Sequence, residues 1–438
     1  MPTFRGLPRR SLAVVAVVAL LAAFSSADAA TFTVTDRSDN ADALPGDGLC
    51  ATANGVCTLR AAIQEANASA GSDTISLPRG AYRLIAGELV ISDDLVLTGA
   101  GSDNTAINNA RKARVMSIAS PATVAISGVR LQRGLADVGA GLLNNGTATV
   151  SDVRFAGNRA ISAAGGEGGG IYNAGTLTLS NTTFTRNRAS GTDGGFGGGI
   201  YNVGALTIAD AAFTANLTSG CGGAVFNDGG ALTLTRSSLI ANRASNSGGG
   251  IFNQSGTFEL SATTLARNRA KAIGGGVFTY APATLTNVTI NANRAQYGAG
   301  VFCGQTAVTL VNVTMSSNRA RFGGGLYTDL GNATLHNTLV ASNHPDNCEG
   351  TAVTSLGYNL DSGATCGLSA AGDLSNTDPQ LNALRNNGGA TKTCALPPGS
   401  PAIDAGDNND CSPTDQRGEP RPAGSPAVCD IGAYEMQP

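Results

Sequence analysis

Apolar and polar residues change places at every second position in short bursts along the middle of the chain, as in Thr176-Leu177-Thr178-Leu179 and Leu232-Thr233-Leu234. Alternation of this period with β-branched partners predicts short strands, and the Gly, Asn and Ser residues between the bursts predict turns. After each burst comes an apolar residue, such as Phe184, Phe213 or Leu239, and three positions later an asparagine. These asparagines are Asn158, Asn187, Asn216, Asn242, Asn268, Asn293, Asn318 and Asn343, in steps of 29, 29, 26, 26, 25, 25 and 25 residues, and Arg-Ala usually follows them. A glycine block keeps the same beat: GGGIYN from Gly168 and from Gly197, GGAVFN from Gly222 and GGGIFN from Gly248. It continues in altered form as GGGVFT from Gly274, GAGVFC from Gly298 and GGGLYT from Gly323. Each period is predicted to hold two or three strands and no helix.

One unit of this size cannot bury its own apolar face, so a fixed period means stacked copies. Helical repeats need two amphipathic helices per period, and no run of three-and-four spacing is long enough here. A propeller blade needs about 40 residues or more. The architecture left is all-β: a right-handed parallel β-helix, one coil per period, with equivalent residues about 4.8 Å apart in columns. Outside the array, Thr58 to Asn67 has helical spacing, with Leu59, Ala62, Ile63 and Ala66 on one face, and predicts a short helix closing the first coil.

The phenylalanine–asparagine elements, as Phe155 to Asn158, Phe184 to Asn187 and Phe213 to Asn216, together with the glycine blocks, resemble the repeats of polymorphic outer-membrane proteins, a bacterial adhesin and autotransporter group. The stretch from Cys57 to Asn67, CTLRAAIQEAN, is similar to the N-terminal CSLREA motif, with Thr for Ser and Ala for Glu. Ser400 to Asp404 (SPAID), Asp415 to Gly418 (DQRG) and Asp430 to Glu435 (DIGAYE) resemble the C-terminal choice-of-anchor Q domain. These resemblances imply a secreted or surface β-helix protein of a bacterium, and they carry over no catalytic residue.

Four segments are expected: a signal peptide over 1–30, an N-terminal cap and first coils over 31–133, regular coils over 134–345, and a C-terminal capping region over 346–438. Arg5, Arg9 and Arg10 precede an apolar run from Leu12 to Phe24, and Ala27-Asp28-Ala29 offers a cleavage site; the arginine pair also suits twin-arginine export. No later stretch reaches 18 apolar residues, so no transmembrane helix is expected in the exported chain. No alternating strands follow the repeats before Met436-Gln437-Pro438, so no autotransporter barrel is expected. Glycine, at 59 of 438 residues, is periodic rather than low-complexity. Nine cysteines in an exported chain favour disulfides, for which the preferred pairs are Cys50–Cys57, Cys348–Cys366 and Cys411–Cys429. Cys221, Cys303 and Cys394 are left over.

Four features bear on function. The asparagine column is expected to be structural, because stacked amides can bond one another and the backbone. The column that follows it, Arg159, Arg188, Arg243, Arg269, Arg294 and Arg319, broken by Leu217 and His344, offers either a solvated face or a dock for an anionic polysaccharide through forked hydrogen bonds. Neighbouring charges one coil apart repel by only about 0.9 kcal/mol in water, which does not require a ligand. Residues 134–345 carry 12 basic and 8 acidic side chains, whereas 346–438 carry 4 and 12, so charge is polarised along the chain. An aromatic file, Tyr172, Tyr201, Phe226, Phe252, Phe278, Phe302 and Tyr327, adjoins an aliphatic file from Ile171 to Leu326. Only one of the two files can face the core. If the aliphatic file is inside, the rings either brace one another or form a platform for sugar faces. Finally, Asp404, Asp407, Asp410 and Asp415 have the oxygen ligands calcium prefers without the EF-hand spacing, and ordinary turn chemistry explains them equally. No other cofactor is expected, and nucleic acid is not an expected partner.

Glycan cleavage is the rival reading. Glycoside hydrolysis needs two carboxyls about 5 to 9.5 Å apart. Asp228 and Asp329 share a coil position four coils apart, about 19 Å, while Asp152, Asp193, Asp210 and Glu259 fall in different coils. His336 and His344 have no evident carboxylate partner in the sequence. The expected function is therefore a binding or adhesive rod for glycans or cell-envelope material, with a β-helix lyase or hydrolase, or a purely structural envelope filament, as the alternatives. Oligomeric state is left open.

Overall fold

A computed structural model describes residues 29–351, 353–424 and 427–438. The signal-peptide assignment lies, apart from Ala29 and Ala30, outside the described residues. Among the described residues no helix is long and apolar enough to cross a membrane. Among the described residues the chain winds into a parallel β-solenoid with a single helix. One coil shows the plan: Ile171–Asn173 in sheet C, Thr176–Ser180 in sheet A, Thr183–Thr185 in sheet B and Arg188–Ser190 in sheet D. Sheets A and B each have thirteen strands, sheet C eleven and sheet D six. The expectation of two or three strands per period falls one short in mid-rod, where the Arg-Ala dipeptide makes a fourth.

Register is set by the repeat itself. Ile171 pairs with Ile200, which pairs in turn with Val225, Ile251, Val277, Val301 and Leu326. These residues point inward and are fully buried, as are Leu177, Leu179 and Phe184. Phe155, Phe184 and Phe213 stack inside the cylinder with centroids 4.8 and 4.5 Å apart, the spacing that coil stacking imposes on identical rings.

The buried asparagines form a continuous amide column. Asn187 Nδ2 donates to Asn216 Oδ1 (3.0 Å) and to the Phe155 carbonyl (3.0 Å), and Asn187 N–H donates to the same Asn216 oxygen (3.0 Å). The pattern repeats through Asn343, whose amide donates to Asn347. A second column, which the sequence reading did not single out, runs Asn144, Asn173, Asn202, Asn227 and Asn253, each amide donating to the next and the last to Thr279 Oγ1. Both columns lie at the corners between sheets, where turning backbone would otherwise leave buried groups unmatched.

The ends differ. At the N-terminus, helix α1 (Leu59–Ala68) is capped by Thr58, whose hydroxyl accepts from Ala61 N–H (3.1 Å), and its apolar face joins the core. The polar residues of the CTLRAAIQEAN stretch fasten it: Arg60 pairs with Asp39 (2.9 Å), and Glu65 accepts from the Gly46 and Gly48 N–H groups. The Cys50–Cys57 disulfide closes the loop before it. At the other end, Cys348–Gly350, Val353–Ser355, Leu360–Asp361 and Leu374–Ser375 extend sheets C, A and B, with Cys348–Cys366 between them.

The remainder runs back along the outer face of sheet B. Gln416 bonds Thr264 and Thr289, Ala433 N–H donates to Thr314 Oγ1, and Thr391 reaches the Ala262 carbonyl. Leu396, Ala402 and Ile431 bury Leu339, Ala341 and Leu360 in a second apolar cluster. The reason is in the outward residues of this half, since Leu339 and Ala341 would otherwise face solvent.

Candidate functional site

The arginine column is in register. Arg159 pairs with Arg188, Arg188 with Leu217, Leu217 with Arg243 and Arg243 with Arg269, and single bridges continue through Arg294 and Arg319 to His344. The dipeptide alternates as a strand must: Ala160, Ala189, Ala244 and Ala270 are buried while Arg188, Arg243, Arg269, Arg294 and Arg319 are exposed. Glycine makes room for this strand. A Cβ on Gly249 would stand 2.5 Å from the Arg269 carbonyl carbon, and one on Gly223 would stand 2.8 Å from the Arg243 nitrogen. The glycine block and the Asn-Arg-Ala motif are therefore two sides of one contact.

Two positions beyond each arginine lies a second outward column, Lys271, Gln296 and Arg321. With Arg269, Arg294 and Arg319 it lines a shallow groove of about 430 Å³, which continues past Arg243 and Ser245. Among the described residues no carboxylate pairs with any cation of this surface, whereas Arg154 and Arg236 elsewhere on the rod are paired with Asp103 and Asp210. Four like charges at successive coils, with two more beside them, present mainly hydrogen-bond donors, the side-chain acceptors being the Gln296 amide and the Ser245 hydroxyl.

The aromatic file is a different matter, and the platform reading is corrected. The aliphatic file is inside, so the rings of Tyr172, Tyr201, Phe226, Phe252, Phe278, Phe302 and Tyr327 do point away from the core. They are nevertheless covered: Phe226 and Phe252 are 5 % exposed and Phe278 is 2 % exposed. The cover comes from the residue before four of the glycine blocks. Phe196, Cys221, Ile273 and Tyr297 pack on the rings and bury them in a satellite cluster. The first glycine of each block turns the chain back over them with positive φ (Gly248 at 65°, Gly274 at 64°), and a Cβ on Gly274 would meet Phe278 Cβ at 2.4 Å. The signal was available, since Phe196, Cys221, Ile273, Tyr297 and Phe322 recur at one coil position, but it lies outside the alternating bursts. Only Tyr172 and Tyr327 stay half-buried.

Carboxylates beside this file form a group with the look of a catalytic one. The Tyr201 hydroxyl donates to Asp228 (2.7 Å), and both burial and Asp228 push Tyr201 above the ordinary tyrosine range. Burial, followed by the charge of Asp228, raises Glu167. Asp228 and Asp329 lie in different coils as expected, Asp210 is held by Arg236, and Asp152 accepts from the Asn181 amide.

The four aspartates proposed for calcium do not converge. Asp415 is buried and holds Arg417 (2.8 Å), while the Asp404 N–H donates to Asp430. Only Asp407 and Asp410 come together, on either side of His336, which corrects the expectation that this histidine has no carboxylate neighbour. The DQRG and DIGAYE stretches meet in a buried network. Arg421 pairs with Glu435 (3.2 Å), Arg417 lies over the Tyr434 ring at 3.9 Å, and Glu435 accepts from the Ala423 and Asp430 N–H groups. Burial pushes the Glu435 carboxyl up to about 7. All three expected disulfides form, and Cys221, Cys303 and Cys394 are buried free thiols; burial pushes Cys303 and Cys394 up to about 11.

No family model matches the chain, and no curated protein does. Among solved structures it is similar to pectate lyase Pel9A, with a TM-score of 0.42 and 13% identity over 94% of this chain and 98% of that one. It is also similar to the A-module of the Azotobacter vinelandii mannuronan C-5 epimerase AlgE4, with a TM-score of 0.30 and 16% identity over 73% and 92% of the two chains. Neither supplies a residue role here.

Proposed function

We propose that this β-helix is a secreted or surface-held binding rod of a bacterium, and that the arginine groove is where it holds an anionic polysaccharide. One observation carries the reading: a register of exposed guanidinium groups, one per coil from Arg243 to Arg319, with no carboxylate partner among the described residues. A guanidinium presents a planar fork that matches a carboxylate or sulfate edge, and a column of forks about 4.8 Å apart matches a linear polymer bearing repeated anions. Each exposed contact is worth little by itself in water and salt. Several engaged by one chain add through effective concentration, so affinity should rise with polymer length and fall with ionic strength.

The test is a glycan array and affinity electrophoresis with polyuronates, sulfated glycans and neutral glycans, comparing the natural chain with an Arg269→Ala/Arg294→Ala variant. Retention by anionic polymers that is lost in the variant supports the reading. Silence towards all of them in both proteins would favour an envelope filament.

The cleavage alternative rests on Glu167, a carboxyl raised by burial, near the Tyr201–Asp228 hydrogen bond. Assays for new reducing ends or unsaturated uronates on pooled polysaccharides, with Glu167→Gln as the control, decide it.

A further inference from the structure

We propose that His336, Asp407 and Asp410 form a binding site for a divalent transition metal of the zinc type, which staples the returning C-terminal segment to the rod. His336 ends the sheet A strand Asn332–His336, and its side chain is only 5 % exposed. Its Nε2 is buried, has no hydrogen-bond partner and faces Asp407 Oδ2 at 3.5 Å, while Nδ1 lies 3.5 Å from Asp410 Oδ2. Those separations are too long for good hydrogen bonds. An imidazole gives one ion a single nitrogen, so the Nε2–Asp407 separation is the one that matches an edge between two ligands of a tetrahedral ion, roughly 3.4 Å for bonds of about 2.1 Å, and the exposed Asp410 has to swing from beside Nδ1 to complete the set. One ligand atom from each residue falls within 4.8 Å of the others.

The surroundings hold two of the three ligands in place. Asp407 is clamped by Asn337, whose Oδ1 accepts from the Asp407 N–H (2.7 Å) and whose amide donates to the Asp407 carbonyl (3.0 Å). Asp407 Oδ1 accepts from the Asn409 N–H and side-chain amide, which leaves Oδ2 turned towards the imidazole. Asp410 is exposed and precedes the Cys411–Cys429 disulfide, so it can close on an ion without disturbing the core. One nitrogen and two carboxylate oxygens suit zinc and its neighbours, and they leave one position for water. Calcium prefers six to eight oxygens and is a poor match. Because the ligands come from the rod and from residues some 70 positions later, a bound ion would fasten the two together.

Titration of the untagged full chain with Zn²⁺ alone, by calorimetry, tests the site, with Co²⁺ as a visible-absorption probe and Ca²⁺ as the contrast. One equivalent of Zn²⁺ should bind, Co²⁺ should develop the intense bands of a four-coordinate ion, and Ca²⁺ should bind at least tenfold more weakly. Asp410→Asn, which alters an exposed side chain, should weaken Zn²⁺ at least tenfold, and His336→Gln should abolish the Co²⁺ bands. His344→Ala should change neither. Should His336→Gln fail to fold, Asp410→Asn decides alone. Absence of stoichiometric Zn²⁺ binding, unchanged affinity in Asp410→Asn, or a preference for Ca²⁺ would each overturn the site.

Discussion

Two outward columns run side by side down this rod, one of rings from Tyr172 to Tyr327 and one of cations from Arg159 to Arg319, and only the second is open to solvent. Both repeat once per coil and both point away from the core. The rings are roofed by Phe196, Cys221, Ile273 and Tyr297, each folded back over them by the glycine with positive φ that follows it. The cations have no roof, because their strand lies flush on the second glycine of the same block and its side chains are directed outward. Periodicity thus makes a column, and the neighbouring loop decides whether that column is core or surface.

The sharpest way to break this contrast is Phe252→Ala. A ring that is 5 % exposed within a cluster should cost about 3–5 kcal/mol on truncation, read as a fall in the denaturation midpoint, while the folded variant keeps its affinity for anionic polysaccharide. Loss of binding with stability intact would show that the rings, not the cations, meet the ligand. Next comes Asn242→Ala, which leaves the Asn216 N–H groups without their acceptor and the Phe213 carbonyl without its donor. A midpoint shift equivalent to about 3 kcal/mol is expected. Gly249→Ala joins the two columns, since the added methyl meets the Arg269 backbone at 2.5 Å. About 1–3 kcal/mol of stability should be lost, with weaker binding because Arg243, Arg269 and Arg294 no longer line up.

Arg269→Ala/Arg294→Ala should leave the denaturation midpoint within about 0.5 kcal/mol yet weaken polyuronate binding roughly tenfold, about 1.4 kcal/mol, with a shallower salt dependence measured by electrophoretic retardation. The smallest effect is the most direct sharpening. Leu217 interrupts the stripe between Arg188 and Arg243, so Leu217→Arg should lengthen the footprint and tighten long polymers by about two- to threefold. Short oligomers should bind as before.

A second contrast separates the two halves of sheet B. The outer positions of the earlier coils, such as Thr183 and Thr185, are half-buried, whereas Thr264, Thr289 and Thr314 are fully covered by residues 391–433. The repeat looks the same in both stretches, so alternation could show that these positions face outward and not that a distant segment covers them. The polar residues of the DQRG and DIGAYE stretches were legible as motifs. Their work became clear only in three dimensions: Gln416 reaches the threonine column, while Asp415, Arg417, Arg421 and Glu435 neutralise one another inside the fold. The disulfides were more accessible, because each preferred pair brackets one local loop at an end of the solenoid.

What the sequence determined by itself is what repeats in it: the coil length, the alternating strands, the Asn158–Asn343 amide column, the arginine column and the helix that closes the first coil, whereas which of the aliphatic and aromatic files faces the core came from the fold. Each copy faces the same backbone and the same neighbours, so the same residue types must return at the same interval, and the interval can be read. The tertiary structure decided what does not repeat: where the C-terminal segment lies, and that His336 meets Asp407 and Asp410. Those contacts join residues from about 70 to 150 positions apart and occur once each, so no period announces them, and only the folded path of the chain brings their partners together.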